Sequence, residues 1–410
     1  MVKAFTGEEV LDRARESNVK FIRLQFTDIL GAFKNIAITV EELERALDGQ
    51  VMFDSSVVEG FVGNKESDIY LKPDPGTFEI FPWRPRDGAV ARLICDILAP
   101  GGEPFGGCSR SALKRAGGEA AAKGYQLRVG AEIEFFLFHT DDQGKPSTVT
   151  HDRAGYCDLS PVDLGENARR DMVLTLEEMG FDISSSHHEI APGQHASFMP
   201  KPLSGLNGSG MHLHQSLWQE GLNAFDNPAG AHGLSDEAAF YIGGLLRHAR
   251  AMAAVANPLV NSYKRLLPNE LSPVLVAWSE LNRSTVIRVP SQRGDGARIV
   301  LRNPDPAANP YLLLAANLKA GLAGIAEKAA PPPLVAENHL GPADLRRLLQ
   351  REGLPRSLGE ALQHLAADQE IQASLGAHIA GRFLKAKGEE WERFQAEVHR
   401  WELDEYLTNY

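Results

Sequence analysis

Hydrophobic and polar residues alternate near the start of the chain. Ile22, Leu24 and Phe26 alternate with polar neighbours, which is typical of a strand with one buried face. Thr6 followed by Glu9 is a capping-box signature and predicts a helix over 6–17. Further strands are predicted over 32–38 and 90–97, and a short helix over 41–47. The first part of the chain is therefore predicted to be a small sheet with helices.

A glycine- and proline-rich stretch, residues 99–107, separates this sheet from the rest of the chain. Beyond it the pattern is mostly helical, with short strands between residues 272 and 302 and a break at three prolines, 331–333. Helices are predicted over 111–123, 167–179, 236–256 and most of 344–406. This organisation predicts two domains, residues 1–100 and 105–410.

Composition narrows the class of protein. The contents of 43% hydrophobic and 23% charged residues are those of a soluble globular protein. A net charge of −12 argues against nucleic acid or an anionic membrane as the main partner. No apolar run is long enough to span a membrane, and residues 1–20 lack the pattern of a signal peptide. The three cysteines lack metal-site spacing, so they predict reduced thiols in a cytoplasmic protein.

Two carboxylates lie two residues apart in a β-rich run. Glu132 and Glu134 would share one face of a strand, with Ile133 and Phe135 packed behind them. Adjacent anions repel, and a divalent cation between them relieves that repulsion. Oxygen ligands favour Mg²⁺ or Mn²⁺. The pair by itself leaves two interpretations open, a metal site and a solvated acidic face.

A glycine-rich turn enters another strand pattern at Asn207-Gly208-Ser209-Gly210. His212 and His214 follow it and would share one face. Later in the chain come arginines at 283, 288, 298 and 302, and arginine is suited to bidentate recognition of carboxylate and phosphate. Each of these signals is weak when taken alone.

Further motifs complete the set, which is Phe53-Asp54, Glu132-x-Glu134, His187-His188-Glu189, Asn207 to His212, Asn261 to Arg265, Asn282-Arg283-Ser284 and Asp305 to Tyr311. Together and in this order, these motifs resemble those of glutamine synthetase, in its bacterial type I branch, over nearly the whole chain. The resemblance implies an α+β fold, with an N-terminal β-grasp-like domain before a catalytic α/β domain built on a curved antiparallel sheet. It also implies a homo-oligomer, a dodecamer of two stacked hexameric rings.

The family uses ATP and two Mg²⁺ or Mn²⁺ ions to join glutamate to ammonia, and the resemblance implies a role for each matching residue. Glu134 and Glu189 would hold one metal ion, and Glu132 and His212 the other. Arg265 and Arg302 would bind glutamate, with the Asn207–Gly208 backbone nearby, and Arg283 and Arg288 would contact the transferred phosphoryl group. His214, Ser216 and Arg298 would contact the nucleotide. Asp54 of a neighbouring subunit would help to deprotonate ammonium.

Three positions depart from the family pattern. Ala196, Leu271 and Val300 stand where the family has acidic residues, and a segment about as long as a strand plus a helix is missing after His195. These departures favour a catalytically degenerate homologue that binds a small acidic amino acid (glutamate or glutamine) or a nitrogen-metabolism enzyme, with no cofactor required. The alternative is an active ATP-dependent ligase that joins glutamate to ammonia or to an amine with a hydrocarbon body.

Overall fold

The structure is a computed structural model, and it describes residues 5–59, 68–84, 87–143, 145–150, 156–158, 160, 162–188, 195–268, 272–336 and 340–409. Its described residues up to 122 contain six strands and four α-helices, and the last of these helices packs in the core of the second part of the chain. The strands are β1 (Val19–Thr27), β2 (Phe33–Thr39), β3 (Val51–Asp54), β4 (Asp68–Pro73), β5 (Glu79–Ile80) and β6 (Ala89–Leu98). The helices are α1 (Gly7–Glu16), α2 (Leu43–Leu47), α3 (Ser56–Glu59) and α4 (Ser109–Ala122).

The six strands form one mixed sheet in the order β2-β1-β6-β4-β3, with β5 also paired to β6. The two central strands, β1 and β6, run parallel, and the other pairs are antiparallel. The predicted alternation is confirmed, because Ile22, Leu24 and Phe26 are buried in a core with α1 and α2. The capping box is confirmed as well, since Thr6 and Glu9 exchange their two hydrogen bonds at 2.7 and 3.2 Å.

The rest of the chain carries nine further strands and nine further helices in the described ranges. The strands are β7 (Gln126–Ile133), β8 (Phe136–Thr140), β9 (Pro146–Thr150), β10 (His195–Ser197), β11 (Met211–Gln219), β12 (Leu222–Asn223), β13 (Leu275–Ser279), β14 (Thr285–Arg288) and β15 (Ile299–Leu301). The helices are α5 (Glu166–Glu178), α6 (Asp236–Ala256), α7 (Ser262–Arg265), α8 (Pro310–Ala326), α9 (Pro342–Glu352), α10 (Leu358–Ala367), α11 (Gln369–Leu375), α12 (Ala377–Ala396) and α13 (Arg400–Tyr406).

The main sheet of this second part has the order β7-β11-β15-β14-β13, with β12 paired to the end of β11. The family resemblance predicts an antiparallel sheet, and three of the pairs in this order are antiparallel. The pair β13–β14 is parallel, which corrects that prediction at one edge. Strands β10, β8 and β9 form a separate three-stranded sheet. The main sheet and the helices around it share a second hydrophobic core.

The predicted run of strand from 131 to 138 is interrupted. Strand β7 ends at Ile133 and β8 begins at Phe136, so Glu134 and Phe135 lie in the connection. Ile133 is 49% exposed and does not pack behind the carboxylates as predicted. The chain turns here from the main sheet to the small one. No helix in the described ranges is long and apolar enough to cross a membrane.

Helices α6 and α8 pack closely against each other at glycines, and this close contact predicts how a substitution there affects stability. A Cβ atom at Gly244 would lie 2.2 Å from the carbonyl oxygen of Ala320 and 2.8 Å from the backbone of Gly324. We expect Gly244→Ala to destabilise the protein by about 1–3 kcal/mol, because overpacking forces the helix backbones apart. Thermal unfolding would measure the loss. Gly381→Ala on α12 is the matched control, since no atom lies within 4 Å of its added Cβ. An equal effect of both changes would contradict the prediction.

Candidate active site

Glu132, Glu134 and His212 form a group of side chains that we call the acidic cluster. It contains one cross-strand pair. Glu132 on β7 lies opposite His212 on β11, and the oxygen Oε2 of Glu132 is 3.2 Å from Nδ1 of His212. Opposed residues of neighbouring strands on one face are close enough to interact directly. Residues Met211 and Leu213 on β11 point to the core, whereas His212 lies on the face of the cluster. Hydrogen bonds from His212 and His214 hold the pKa of Glu132 well below its usual value.

Glu134 joins the cluster from the connection after β7. Its Oε2 accepts a hydrogen bond of 2.7 Å from the backbone N–H of Gly210, and its Oε1 is 3.7 Å from Nε2 of His212. A side chain at position 210 would not fit there. A Cβ atom would lie 2.5 Å from the guanidinium of Arg265, 3.1 Å from Glu134 and 3.1 Å from His212. The glycine therefore leaves the space between these polar groups free.

Glu132, Glu134 and His212 each offer one ligand atom within 4.8 Å of the others. Two carboxylates and one imidazole are ligands that Mg²⁺ and Mn²⁺ accept, and the space kept open by Gly210 adjoins them. This donor set fits one divalent cation. The fourth predicted metal ligand, Glu189, lies outside the described residues, so its predicted role stays untested.

His214 connects the acidic cluster to the arginines. Its Nε2 is 3.1 Å from Oε2 of Glu132, and its Nδ1 is 3.1 Å from Nε of Arg298. Because the guanidinium only donates, Nδ1 must accept, and the neutral ring then donates from Nε2 to the carboxylate. His214 is thus fixed in one tautomer by a partner on each side.

Four of the predicted arginines come from β14, β15 and the residues that flank them. Arg288 ends β14, Arg298 and Arg302 flank β15, and Arg283 precedes β14. Val300 lies between them and is buried, with Arg288 opposite it on one neighbouring strand and His214 opposite it on the other. This valine is therefore surrounded by cationic and imidazole groups.

Arg265 and Arg302 are the most enclosed of the cations. Arg265 donates to the backbone oxygens of Asn303 at 2.7 Å and of Arg302 at 3.2 Å. Arg302 donates to the backbone oxygen of Arg283. Burial lowers the pKa of Arg302 to about 10, and the guanidinium groups of Arg265 and Arg283 add to this effect. The field in this region therefore favours an incoming anion.

These groups line one cavity of about 520 Å³. Of the fourteen residues predicted to form the site, eleven line it, namely Glu132, Glu134, Asn207, Gly208, His212, His214, Arg265, Arg283, Arg288, Arg298 and Arg302. Ser216 does not appear among the described lining residues, because it lies further along β11 and accepts a 2.9 Å hydrogen bond from the indole of Trp218. Asp54 ends β3 in the other sheet, where it accepts from the N–H of Ser56. Its expected contribution to a neighbouring subunit remains a prediction.

Several lining residues were not predicted from the sequence. Lys201 adds a cation, and its pKa is lowered by burial and by Arg265. Ser209 is buried, and its hydroxyl has no hydrogen-bond partner among the described residues. Phe135 and Tyr156 supply apolar surface. Ser209 lies inside the glycine-rich motif, so its position was a usable signal, whereas Phe135 was placed on the wrong side of the carboxylates.

The fold and the cavity define a class of protein, one with a cluster of arginines beside a candidate divalent-cation site. Two family models match this chain. The beta-Grasp domain of glutamine synthetase matches residues 18–100, and the catalytic domain of glutamine synthetase matches residues 106–195 and 193–406. The chain therefore belongs to the glutamine synthetase family. The predicted fold class is confirmed, a β-grasp domain followed by a mixed α/β catalytic domain.

Individual relatives match over their whole length. The glutamine synthetase of Clostridium saccharobutylicum is 48% identical over 440 aligned positions, covering 99% of this chain and 99% of its own. That of Thermus thermophilus is 47% identical over 445 positions, covering 99% and 100%. Among solved structures, a GmaS/ADP complex has a TM-score of 0.86 at 29% identity and covers 100% of both chains. An apo GmaS structure has a TM-score of 0.84 at 30% identity, covering 97% of this chain and 99% of its own.

Proposed function

We propose that this protein is an active ATP-dependent ligase that joins the side-chain carboxylate of glutamate to ammonia or to a larger amine. The observation that carries the proposal is the cavity in which the candidate metal ligands Glu132, Glu134 and His212 lie together with a set of arginines. The degenerate homologue favoured by the sequence is not supported, since relatives with 45–48% identity over their full length are glutamine synthetases. The active alternative agrees better with these relatives.

The cavity offers a place for each reactant. Glu132, Glu134 and His212 would hold a divalent cation, which neutralises charge on the phosphates when bound. Arg302, with the Asn207–Gly208 backbone nearby, would hold the carboxylates of glutamate. The other residues with assigned roles are Arg265 for glutamate, Arg283 and Arg288 for the transferred phosphoryl group, and His214 and Arg298 for the nucleotide.

In the proposed reaction the glutamate carboxylate attacks the terminal phosphorus of ATP, and ADP leaves. The amine nitrogen then attacks the activated carbonyl carbon, and phosphate leaves. The arginines stabilise the negative charge that passes between these groups, because they are already in place before the reaction. The amine must lose a proton, and Asp54 of a neighbouring subunit is the group proposed to accept it.

We further propose that this chain lacks, near residue 195, a segment that its relatives contain. The match to the catalytic-domain model is split at residues 193–195. The alignment to the clostridial enzyme has 440 positions against 410 residues here, which leaves at least 30 positions without a residue of this chain. Ala196 is exposed on β10 and is not among the described residues that line the cavity, and Leu271 lies outside the described residues.

The test is phosphate release from ATP by purified protein with glutamate and Mg²⁺ or Mn²⁺. Ammonium, methylamine and ethylamine would be supplied in separate reactions, because the nature of the amine is open. We expect release that depends on one of these amines and is lost in Glu134→Gln. Release that no amine stimulates would refute the proposal.

We also propose that the chain assembles with copies of itself, as a dodecamer in a cytoplasmic location. Support comes from apolar side chains exposed in one short stretch at the C-terminus, Val398, Trp401, Leu403, Tyr406 and Leu407. Exposed apolar surface of this kind marks an interaction site. Light scattering should give twelve times the 44.8 kDa of one chain. Deletion of residues 398–410 should lower the number of chains in the assembly. A monomeric full-length chain would contradict the proposal.

A further inference from the structure

A fully buried carboxylate stabilises the charge of one arginine of the cavity, Arg265. This arginine lines the cavity and is 8% exposed. Two carboxylates favour its charged form, Glu134 of the acidic cluster and Asp305. Asp305 lies a few residues after β15, is completely buried, and is not among the described residues that line the cavity. Arg265 therefore has one counter-charge at the candidate cation site and a second one inside the core.

Two buried asparagines connect Asp305 to Arg265. The amide nitrogen Nδ2 of Asn257 donates to Oδ2 of Asp305 at 2.9 Å and to the backbone oxygen of Asn303 at 2.7 Å. That same backbone oxygen accepts a hydrogen bond of 2.7 Å from Nη1 of Arg265. The side chain of Asn303 donates back to Oδ1 of Asn257 at 3.0 Å. Because these three partners of Arg265 are buried, water does not compete for their hydrogen bonds, and the network is rigid.

The charges of Arg265 and Asp305 depend on each other. Burial lowers the pKa of Arg265, and Glu134 and Asp305 oppose that effect. Burial raises the pKa of Asp305, and Arg265 and the hydrogen bond from Asn257 oppose that effect. An enclosed charge is costly unless it is paired. Without the charge of Asp305, Arg265 would be left with Glu134 as its counter-charge among the described residues, and Glu134 is a candidate ligand of the cation.

The other side of the Arg265 guanidinium adjoins the acidic cluster. A Cβ atom at Gly210 would lie 2.5 Å from its Nη2 atom, which also donates to the backbone oxygen of Arg302 at 3.2 Å. A change in the position of this guanidinium would therefore alter the space that Gly210 leaves open. Misplacement of a binding group by about 1 Å can cost on the order of a hundredfold in rate.

We propose that Asp305 is a positioning residue, which holds Arg265 charged and in place for the carboxylate of the substrate through Asn257 and the backbone of Asn303. The inference rests on the proposed function for the role of Arg265 as a contact of glutamate. Asp305 acts from the core and does not touch the substrate. Because its charge is separate from the acidic cluster, Arg265 keeps a counter-charge when Glu134 binds a metal ion.

The test is the variant Asp305→Asn, which keeps the shape of the side chain and removes its charge. Calorimetry of the full-length protein at saturating Mn²⁺ would measure the affinities for L-glutamate and for ATP separately. We expect the affinity for glutamate to fall by about tenfold or more, as when a group that orients a metal ligand is lost, and the affinity for ATP to stay close to that of the wild type. An unchanged affinity for glutamate, or an equal loss for both ligands, would overturn the inference.

Asn317→Ala is the matched control for a disturbed core. Asn317 is completely buried and belongs to another polar network, with Gln215 and Tyr241. Its loss should lower the melting temperature and leave the affinity for glutamate unchanged, and a weaker affinity in this control would overturn the inference.

A milder variant covers the case in which Asp305→Asn does not fold. Asn303→Ala removes the amide that holds Asn257 and keeps the backbone oxygen that Arg265 uses. It should weaken glutamate binding a few-fold, and an unchanged affinity would overturn the inference.

The same measurements separate this inference from the proposed function. If the wild type binds glutamate without amine-dependent phosphate release, and Asp305→Asn binds it more weakly, the ligase function fails and the inference stands. If release depends on an amine and both proteins bind glutamate equally well, the function stands and the inference fails.

Discussion

Replacing Arg302 by alanine is expected to abolish the rise in melting temperature that glutamate gives the wild-type protein. Arg302 lines the cavity, and its guanidinium is held by the backbone oxygen of Arg283 without a carboxylate partner among the described residues. Removing one side of an enclosed charge pair costs about 2–5 kcal/mol. Binding of glutamate should therefore weaken at least about 30-fold. Thermal unfolding across a glutamate series would measure both effects.

The matched control is Arg393→Ala on α12, an exposed position far along the chain from the cavity motifs. It removes the same side chain and should leave the glutamate-induced shift unchanged. If Arg302→Ala kept the full shift, glutamate would not be held by this arginine. If the wild-type protein showed no shift with any acidic amino acid, the substrate assignment itself would fail.

Loss of either acidic residue of the metal cluster should have the second large effect. Glu132→Gln and Glu134→Gln keep the shape of the side chain but remove a charge next to the cation. Altering a group that only supports a metal ligand costs roughly 10–100-fold in affinity. Loss of a ligand charge should therefore weaken Mn²⁺ binding by at least about 100-fold, as followed by calorimetry.

Glu352→Gln, at the exposed end of α9, makes the same chemical change away from the cavity and should bind Mn²⁺ like the wild type. Tight Mn²⁺ binding that survives in both cluster variants would place the metal site elsewhere. The two cluster variants also divide the site. Equal loss in both would indicate one shared ion, whereas different losses would indicate that Glu132 and Glu134 serve separate ions.

Much of the fold was predictable because it is encoded in local patterns. The helix predicted over 236–256 coincides with α6, and the strand over 90–97 differs from β6 by one residue at each end. Capping chemistry at Thr6 and the alternation at Ile22 to Phe26 act over a few residues, so they can be recognised without tertiary structure. The break at Glu134 was missed, since a continuous β-rich run does not show where a chain changes sheets.

The site was predictable as a set of residues and not as an arrangement. Motif order identified the groups that line the cavity, but two side chains, Ser216 and Lys201, were not placed correctly by it. Ser216 shares a face with His214, yet the indole of Trp218 takes its hydroxyl. Lys201 lines the cavity, and its backbone N–H and C=O groups are both hydrogen-bonded to the side chain of Asn261, sixty residues later in the chain. The contact between Lys201 and Asn261 joins segments remote along the chain, so it leaves no local pattern in the sequence.

The sequence by itself determined the family, the two-part architecture and the residue types of the site, because each depends on residues a few positions apart. Only the tertiary structure decided which charges face each other. Glu132 meets His212 and His214 because β7 pairs with β11, and Val300 sits among arginines because β15 lies between β11 and β14. Strand pairing sets the distances between these groups, and burial sets how far each charge is removed from water. Both depend on segments that are remote along the chain.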